Sequence, residues 1–338
     1  PISYHNLVLA MRSVYREQPR FHMDSSSPSV AVVMPVFNEE AVLPETFARI
    51  GQLFDAQPGY QWRAYLVDDG SKDNSARLMA AQAEVDDRFE IVTLARNFGF
   101  QAALAAGIAS ANEADAVITM DADLQDPPEL IPELLRKWED GAQVVLAARR
   151  SRQETGLRRI GMDIFHAGFG RLTDQKLTQN NAGTFGLMGR EALDAFQLLP
   201  ERNRFFPGLR AWVGYEVAEV AYDRQERAAG QPKQSLRRLI SYALDGLFSF
   251  SRLPLRAVSY AGLLVAMIGF GLGLFFTVRR LIGIEVAQTG FTTLVTLVLF
   301  LGGIQLIGIG VLGEYLGRIY DEVKQRPLYL IKKSTRKE

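Results

Sequence analysis

From Val30 to Ala148, short apolar runs alternate with longer amphipathic stretches. Val30-Ala31-Val32-Val33-Met34-Pro35 is β-branched and uncharged, the pattern of a strand buried on both faces. Glu39 to Gln57 then reads as a helix. The same alternation repeats: a strand at Ala64-Tyr65-Leu66-Val67, a helix from Asp73 to Val85, a strand at Glu90-Ile91-Val92-Thr93-Leu94, and a helix from Gln101 to Ala111. A fourth strand, Ala116-Val117-Ile118-Thr119-Met120, precedes a helix from Glu129 to Glu139, and Val144 to Ala148 is a fifth strand. Strand following helix in this order predicts an α/β fold with a mostly parallel sheet and helices on both faces.

The tail follows another pattern. Val258 to Val278 and Val286 to Gly313 carry no charge and no polar face. A bilayer span needs about 20 apolar residues, so both segments predict transmembrane helices. Lys233, Arg237, Arg238, Arg252 and Arg256 precede the first span. Arg318, Lys324, Arg326, Lys332, Lys333, Arg336 and Lys337 follow the second, whereas the connecting loop offers only Arg279 and Arg280. This bias places both outer flanks on the cytoplasmic side of the plasma (inner) membrane. The expected organisation is an N-terminal helix and linker (1–28), a cytosolic α/β domain (29–230), and an interfacial amphipathic segment (231–256). Two membrane helices (257–313) and a basic cytoplasmic segment (314–338) complete it.

The polar motifs gather at predicted strand ends: Asn38-Glu39, Asp68-Asp69, Arg96-Asn97, Asp121-x-Asp123 and Arg149. In open parallel sheets, ligands bind beyond the carboxyl ends of the strands, so this coincidence predicts an active site. In extended chain, residues i and i+2 project to the same side. Asp121 and Asp123 can therefore aim two carboxylates at one hard cation, with small Ala122 between them. Mg²⁺ or Mn²⁺ held this way keeps positions open for substrate phosphates. A solvated acidic turn is the plainer alternative for this stretch, and helix capping is the plainer one for Asp68 or Asp69. One of that pair is expected to cap the following helix and the other to bind ligand.

Composition removes several classes. The 338 residues carry zero net charge, so there is no global basic field to grip nucleic acid. There is no cysteine, hence no disulfide or thiolate metal site. Neither a Gly-x-Gly-x-x-Gly after the first strand nor a Gly-Lys-Ser/Thr phosphate loop is present. His5, His22 and His166 show no ligand spacing.

Together Pro35-Val36-Phe37-Asn38-Glu39, Asp68-Asp69-Gly70-Ser71, Arg96-Asn97-Phe98-Gly99 and Asp121-Ala122-Asp123-Leu124-Gln125-Asp126-Pro127-Pro128-Glu129 resemble the family 2 inverting glycosyltransferases of GT-A fold. The nearest subgroup is the polyprenyl-phosphate glycosyltransferases, GtrB-type or like dolichol-phosphate mannose synthase. The resemblance implies that Pro35, Phe37, Glu39, Asp68, Asp69 and Arg96 line the nucleotide-sugar pocket. It implies that Asp121, Asp123 and Gln125 hold the metal and the donor diphosphate, and that Arg149 contacts a phosphate; Asp121, Asp123 and Arg149 are the expected catalytic set. Arg204 to Leu209 through Trp212 to Gly214, and Tyr222 to Gly230, also resemble the subgroup, with Arg224, Arg227 and Lys233 as expected acceptor-phosphate ligands. Expected partners are a nucleotide sugar (a UDP-hexose, with GDP-mannose the alternative), a polyprenyl phosphate and the membrane; self-association is implied.

This chain departs from the subgroup in two places. Gly230-Gln231-Pro232-Lys233-Gln234 lacks the serine and aromatic residue usual there, and Thr184 stands where many relatives carry an acid. Tyr242, Phe248 and Phe250 fit a helix lying on the cytoplasmic leaflet, and Gly269 with Gly273 forms a Gly-x-x-x-Gly packing motif in the first span. A processive polysaccharide synthase would need more spans and a Gln/Arg-x-x-Arg-Trp element not found here. A catalytically silent membrane scaffold is opposed by the carboxylates present at the strand ends where they are expected.

Overall fold

The β-branched run around residue 32 occupies the middle of the sheet in the computed structural model. The structure describes residues 27–149, 182–202, 204–222, 253–282 and 290–335. Its eight strands are β1 (Ser29–Val36), β2 (Gln61–Asp68), β3 (Phe89–Leu94), β4 (Ala116–Thr119), β5 (Val144–Arg149), β6 (Ala182–Gly189), β7 (Val217–Tyr222) and β8 (Ile331–Ser334). They lie in the order β7-β5-β6-β4-β1-β2-β3-β8. Pairings β1–β2, β1–β4, β2–β3 and β5–β7 are parallel, while β6 runs against β4 and β5 and β8 against β3.

Alternation along β1 shows why the strand is apolar throughout. Val30, Val32 and Met34 enter one core, and Ala31 and Val33 enter the other. Successive side chains point to opposite faces, and both faces are covered. On one side lie α1 (Leu43–Ala56), α2 (Ser75–Val85) and α4 (Ile131–Glu139), contributing Phe47, Phe54, Met79, Leu134 and Trp138. On the other lie α3 (Phe100–Ser110), α5 (Arg190–Gln197) and α6 (Phe206–Trp212), contributing Leu104, Ile108, Phe196 and Phe206.

Two predicted boundaries move for local reasons. The first helix begins at Leu43, not Glu39, because Asn38 has φ 55° and the chain makes a turn before Pro44 opens the helix. The helix expected from Glu129 starts as a 3₁₀ turn, Pro128–Leu130, and becomes α4 at Ile131 with Pro132 in its first turn. Pro35 is accommodated in a central strand because the β4 ladder ends at Val33, two residues before it.

The C-terminal part is helical. Helix α7 spans Leu253–Leu281, and α8 spans Phe291–Lys324. Among the described residues one helix is long and apolar enough to cross a membrane, within Phe300–Lys324. Helix α8 continues well past Gly313, bringing Glu314 and Arg318 onto the same helix as the apolar run. A close approach between the two helices is at Gly308, where an added Cβ would lie 3.2 Å from Val258 Cγ1, whereas a Cβ added at Gly269 would meet nothing within 4 Å among the described residues.

After α8 the chain returns to the sheet, which the sequence did not announce. The Ala95 amide donates to the Leu330 carbonyl at 2.8 Å, and the Ile91 amide donates to Thr335 Oγ1 at 2.8 Å. The Arg202 amide donates to Glu322 Oε1 at 2.8 Å, fastening the end of α8 to the α/β domain. Strand β8 thus covers an edge that would otherwise present unpaired amides.

Candidate active site

The carboxyl ends of β1 to β5 converge on one rim of the sheet, and the residues singled out from the sequence lie along it. At the end of β1, Pro35 is buried, Phe37 is exposed and Glu39 is half-buried. Asn38 donates its amide to Ser71 Oγ at 3.1 Å and accepts from the Lys72 amide through Oδ1 at 2.8 Å. The Glu39 amide donates to Ser75 Oγ at 2.9 Å. The β1 and β2 ends are therefore laced together before any ligand arrives.

Asp68 and Asp69 are both buried, and neither caps α2 as the sequence suggested. Asp68 Oδ1 accepts the Ser71 amide at 2.9 Å and closes the turn. Asp69 reaches across to the β3 loop, accepting the Phe98 amide at 2.7 Å and the Gly99 amide at 2.9 Å, and so serves the start of α3. Burial raises the Asp69 carboxyl above its ordinary value; the Phe98 and Gly99 amides oppose the rise, Asp68 adds to it, and Arg96 opposes it. Gly70 is required between the two loops. It has φ +73°, and a Cβ there would sit 2.7 Å from the Asn97 amide nitrogen. Arg96 is exposed with its guanidinium over the Phe98 ring, 4.1 Å from the centroid.

The acidic stretch after β4 keeps a two-residue alternation. Asp121, Asp123 and Gln125 are half-buried on the open side, while Ala122, Leu124 and Asp126 are buried beneath. The pairing of Asp121 and Asp123 read from i and i+2 spacing is thus present, and Gln125, which the resemblance added, shares their partial exposure. Thr46 Oγ1 on α1 donates to the Ala122 carbonyl at 2.9 Å, fixing the loop from below. Leu124 has φ 58°, a conformation a leucine adopts only where its surroundings impose it. Asp123 Oδ1 accepts the Gln125 amide at 3.1 Å.

Asp126, quoted in the motif but given no role, is the buried anchor for Arg149. Its side chain is 1% exposed, and its Oδ1 lies 3.8 Å from Arg149 Nη2. The Tyr222 hydroxyl donates to Asp126 Oδ1 in a short hydrogen bond, and Arg149 Nε donates to the Tyr222 hydroxyl at 3.3 Å. Register explains the meeting, since Arg149 and Tyr222 are paired across β5 and β7. Burial pushes the Tyr222 hydroxyl up to about 12, with Asp126 adding to the rise. Burial works against the Arg149 charge, but Tyr222, Asp126 and Asp121 outweigh it and hold the guanidinium charged.

Thr184, the departure from the subgroup pattern, stands beside Asp121. Its Oγ1 lies 3.5 Å from Asp121 Oδ1, and its carbonyl accepts from Thr119 Oγ1. Asp121, Thr184 and Arg149 thus share one corner of the rim, which β6 reaches by running against β4 and β5.

The donor set suits a hard divalent cation: two carboxylates and an amide oxygen on the open side of one loop. Among the described residues no group of three or more His, Cys, Asp or Glu side chains could hold a metal alone. A cation here would take its remaining ligands from substrate or water. Arg224, Arg227 and Lys233, with Pro232, Tyr242, Phe248 and Phe250, lie outside the described residues.

Tyr222 and Arg210 stood inside stretches that resemble the subgroup but were given no role, and Thr119 was read only as part of the fourth strand. Parity along 121–126 was the available signal for Asp126, because buried even positions alternate with part-exposed odd ones. No local pattern gives Tyr222 or Arg210 its part here, because both arrive from elements distant in sequence.

The profile described as glycosyl transferase family 2 matches residues 31–196. An uncharacterised glycosyltransferase of Synechocystis is 43% identical over 89% of this chain and 94% of its own length. A prophage-derived bactoprenol glucosyl transferase of Shigella flexneri is 43% identical over 91% of this chain and 98% of its own. A prophage bactoprenol glucosyl transferase homolog of Escherichia coli K12 is 41% identical over 90% and 98%. Likeness to the solved glucosyl-3-phosphoglycerate synthase of Mycobacterium tuberculosis is slight, with a TM-score of 0.46 and 20% identity over 65% of this chain and 78% of that one. Relatives 43% identical along about nine-tenths of the chain, with the family profile over residues 31–196, decide the classification: the protein is a glycosyltransferase and belongs to glycosyl transferase family 2.

Proposed function

We propose that the protein transfers a hexose, glucose from UDP-glucose, to a polyprenyl phosphate at the cytoplasmic face of the inner membrane, with inversion at the anomeric carbon. The observation that carries the reading is the corner where Asp121, Asp123 and Gln125 open beside a half-buried Arg149 paired with buried Asp126. Relatives named bactoprenol glucosyl transferase support the acceptor and the sugar.

Asp121 and Asp123, with the Gln125 amide oxygen, would hold Mg²⁺ or Mn²⁺. Bound there, the cation supplies Lewis-acid neutralisation of the departing diphosphate. Pro35, Phe37, Glu39, Asp68, Asp69 and Arg96 rim the nucleoside end. Arg149 presents a fixed positive charge toward the phosphates, pre-set by Tyr222 and Asp126, so little reorganisation accompanies bond breaking. An acceptor phosphate monoester, with a second pKa near ~6, is already anionic at neutral pH. Its oxygen attacks the anomeric carbon as the bond from that carbon to the diphosphate breaks, and UDP leaves with the electron pair. No side chain need remove a proton, which fits a threonine at position 184. Arg224, Arg227 and Lys233 are proposed for the acceptor phosphate.

Helices α7 and α8 are proposed as two spans with both outer flanks cytoplasmic, as the Lys and Arg bias requires. Anchoring beside the bilayer places the pocket within reach of a lipid that stays in it, and self-association of the chain belongs to the same reading. The test is Asp123→Ala with purified protein, labelled donor and polyprenyl phosphate. Transfer should fall to background at every Mg²⁺ or Mn²⁺ concentration; undiminished metal-dependent transfer would remove Asp123 from the site.

A further inference from the structure

Arg210, on α6, is 3% exposed; it stands inside the Arg204-to-Gly214 stretch but was given no role there. Its Nη2 donates to the Gly183 carbonyl at 2.9 Å, and its Nη1 faces the Thr184 carbonyl at 3.4 Å. The Thr184 carbonyl also accepts from Thr119 Oγ1 at the end of β4. The same two residues touch the transfer corner on their other sides. Thr184 Oγ1 meets Asp121 Oδ1, and a Cβ at Gly183 would lie 3.3 Å from Arg149 Nη2. Gly186, one turn of the pleat further along β6, leaves room for the Arg210 guanidinium; a Cβ there would lie 3.1 Å from Nη1 and 2.5 Å from the Val145 carbonyl.

Burying a guanidinium is costly unless its donors are used in fixed geometry. A planar fork pins two successive carbonyls in a fixed geometry, whereas a lysine ammonium offers its donors from one point on a flexible stem. The ring of Phe206 supports the fork from its own helix, with Cζ 5.2 Å from the centroid. Had the only need been to fill space between α6 and β6, an aliphatic side chain would have met it at lower cost. We propose that Arg210 is a positioning residue for the transfer reaction: by locking the Gly183–Thr184 backbone it sets Asp121 and Arg149 relative to one another. This rests on the reading that Asp121 and Arg149 serve the donor diphosphate. Arg210 itself touches neither substrate nor metal.

The test compares Arg210→Met, Arg210→Lys and Thr184→Val in the full-length protein. Three readouts are taken: thermal unfolding, Mn²⁺ uptake in the presence of UDP by loss of the free-ion electron paramagnetic resonance signal, and steady-state kcat and KM for the donor. Supporting partners of metal-binding groups commonly change affinity or activity about 10- to 100-fold when removed. Arg210→Met should keep a cooperative melt, need at least about tenfold more Mn²⁺ and lose about tenfold or more in kcat. Arg210→Lys should recover part of the kcat, and Thr184→Val should raise the Mn²⁺ midpoint by about twofold to threefold, as one weak contact to Asp121 is lost.

Wild-type kcat and Mn²⁺ midpoint in Arg210→Met, with only a lowered melting temperature, would overturn the proposal. Should Arg210→Met fail to fold, unchanged kcat and Mn²⁺ midpoints in both Arg210→Lys and Thr184→Val would overturn it equally. A wild type that takes up no Mn²⁺ would remove the metal reading alone, and Arg210 would then be judged by the kcat loss and its partial return with lysine.

Discussion

Tyr222→Phe isolates one oxygen at the centre of the Asp126–Arg149 pair. The ring is 5% exposed and stands edge-on to Phe185 at 6.0 Å, so phenylalanine keeps the packing. What is lost is the donor to Asp126 Oδ1 and the acceptor for Arg149 Nε. A hydrogen bond to a charged group contributes about 1.5–3 kcal/mol; the 3.3 Å Arg149 contact is long and adds little. The expected cost is therefore about 2–3 kcal/mol. At about 2–4 °C per kcal/mol for a domain of this size, the melting temperature should fall by about 4–12 °C. Arg149 should also lose its orientation, lowering kcat by about tenfold while leaving KM for the nucleotide sugar within about threefold. Circular dichroism melts and initial-rate kinetics on purified protein read both. A melt within 1 °C of wild type, within the ~0.5 kcal/mol typical of surface changes, together with unchanged kcat, would refute the argument that the hydroxyl holds the pair.

Gly70→Ala should cost about 1–3 kcal/mol and weaken UDP binding, because the φ of +73° and the Asn97 amide leave no place for a Cβ; chemical denaturation and calorimetric titration with UDP read the two effects. Removing residues 329–338 should lower the melting temperature and bring concentration-dependent association, since the Ile91 and Ala95 amides at the β3 edge lose their partners. Size-exclusion chromatography with melting checks this, and an unchanged profile would contradict the covering role of β8. On acidification, Asp86 carries a defined sign. Hydrogen bonding to Arg88 holds its carboxyl below the ordinary 3.8, so the folded form binds fewer protons than the unfolded one. Its stabilisation is present above 3.8 and disappears as pH falls through the lower folded-state value. The stability gap between wild type and Asp86→Asn should therefore be full at neutral pH and close below 3.8.

The parts of the fold that were legible are those whose pattern is local. Strands β1 to β5 each pack on both faces, so their apolar runs were continuous and hard to mistake. Strand β6 was invisible because Ala182–Gly189 contains four glycines or alanines, chosen for close approach to Arg149, Arg210 and the Val145 carbonyl and not for strand propensity. Strand β8 is short and basic, with all four residues exposed, which is how edge strands are protected and also how they are hidden from hydropathy. At the site, Asp121, Asp123 and Gln125 were readable because one loop carries all three. The expectation that Asp68 or Asp69 caps α2 failed because Asp68 closes its own turn at Ser71 and Asp69 reaches across to the Phe98–Gly99 amides. Arg149 was readable as a strand-end charge, but its anchor required the β5–β7 register, which no window of sequence contains.

The account's central claim is sugar transfer from a uridine nucleotide to a lipid phosphate at the Asp121–Asp123 corner. A panel of UDP- and GDP-linked sugars offered to purified protein with polyprenyl phosphate, with products read by mass, tests it most directly. The account predicts one new lipid, heavier than the acceptor by one anhydrohexose, from UDP-glucose with a divalent cation and none with Asp123→Ala. Product from a GDP sugar and none from any UDP sugar, or equal product from the Asp123→Ala protein, would contradict it.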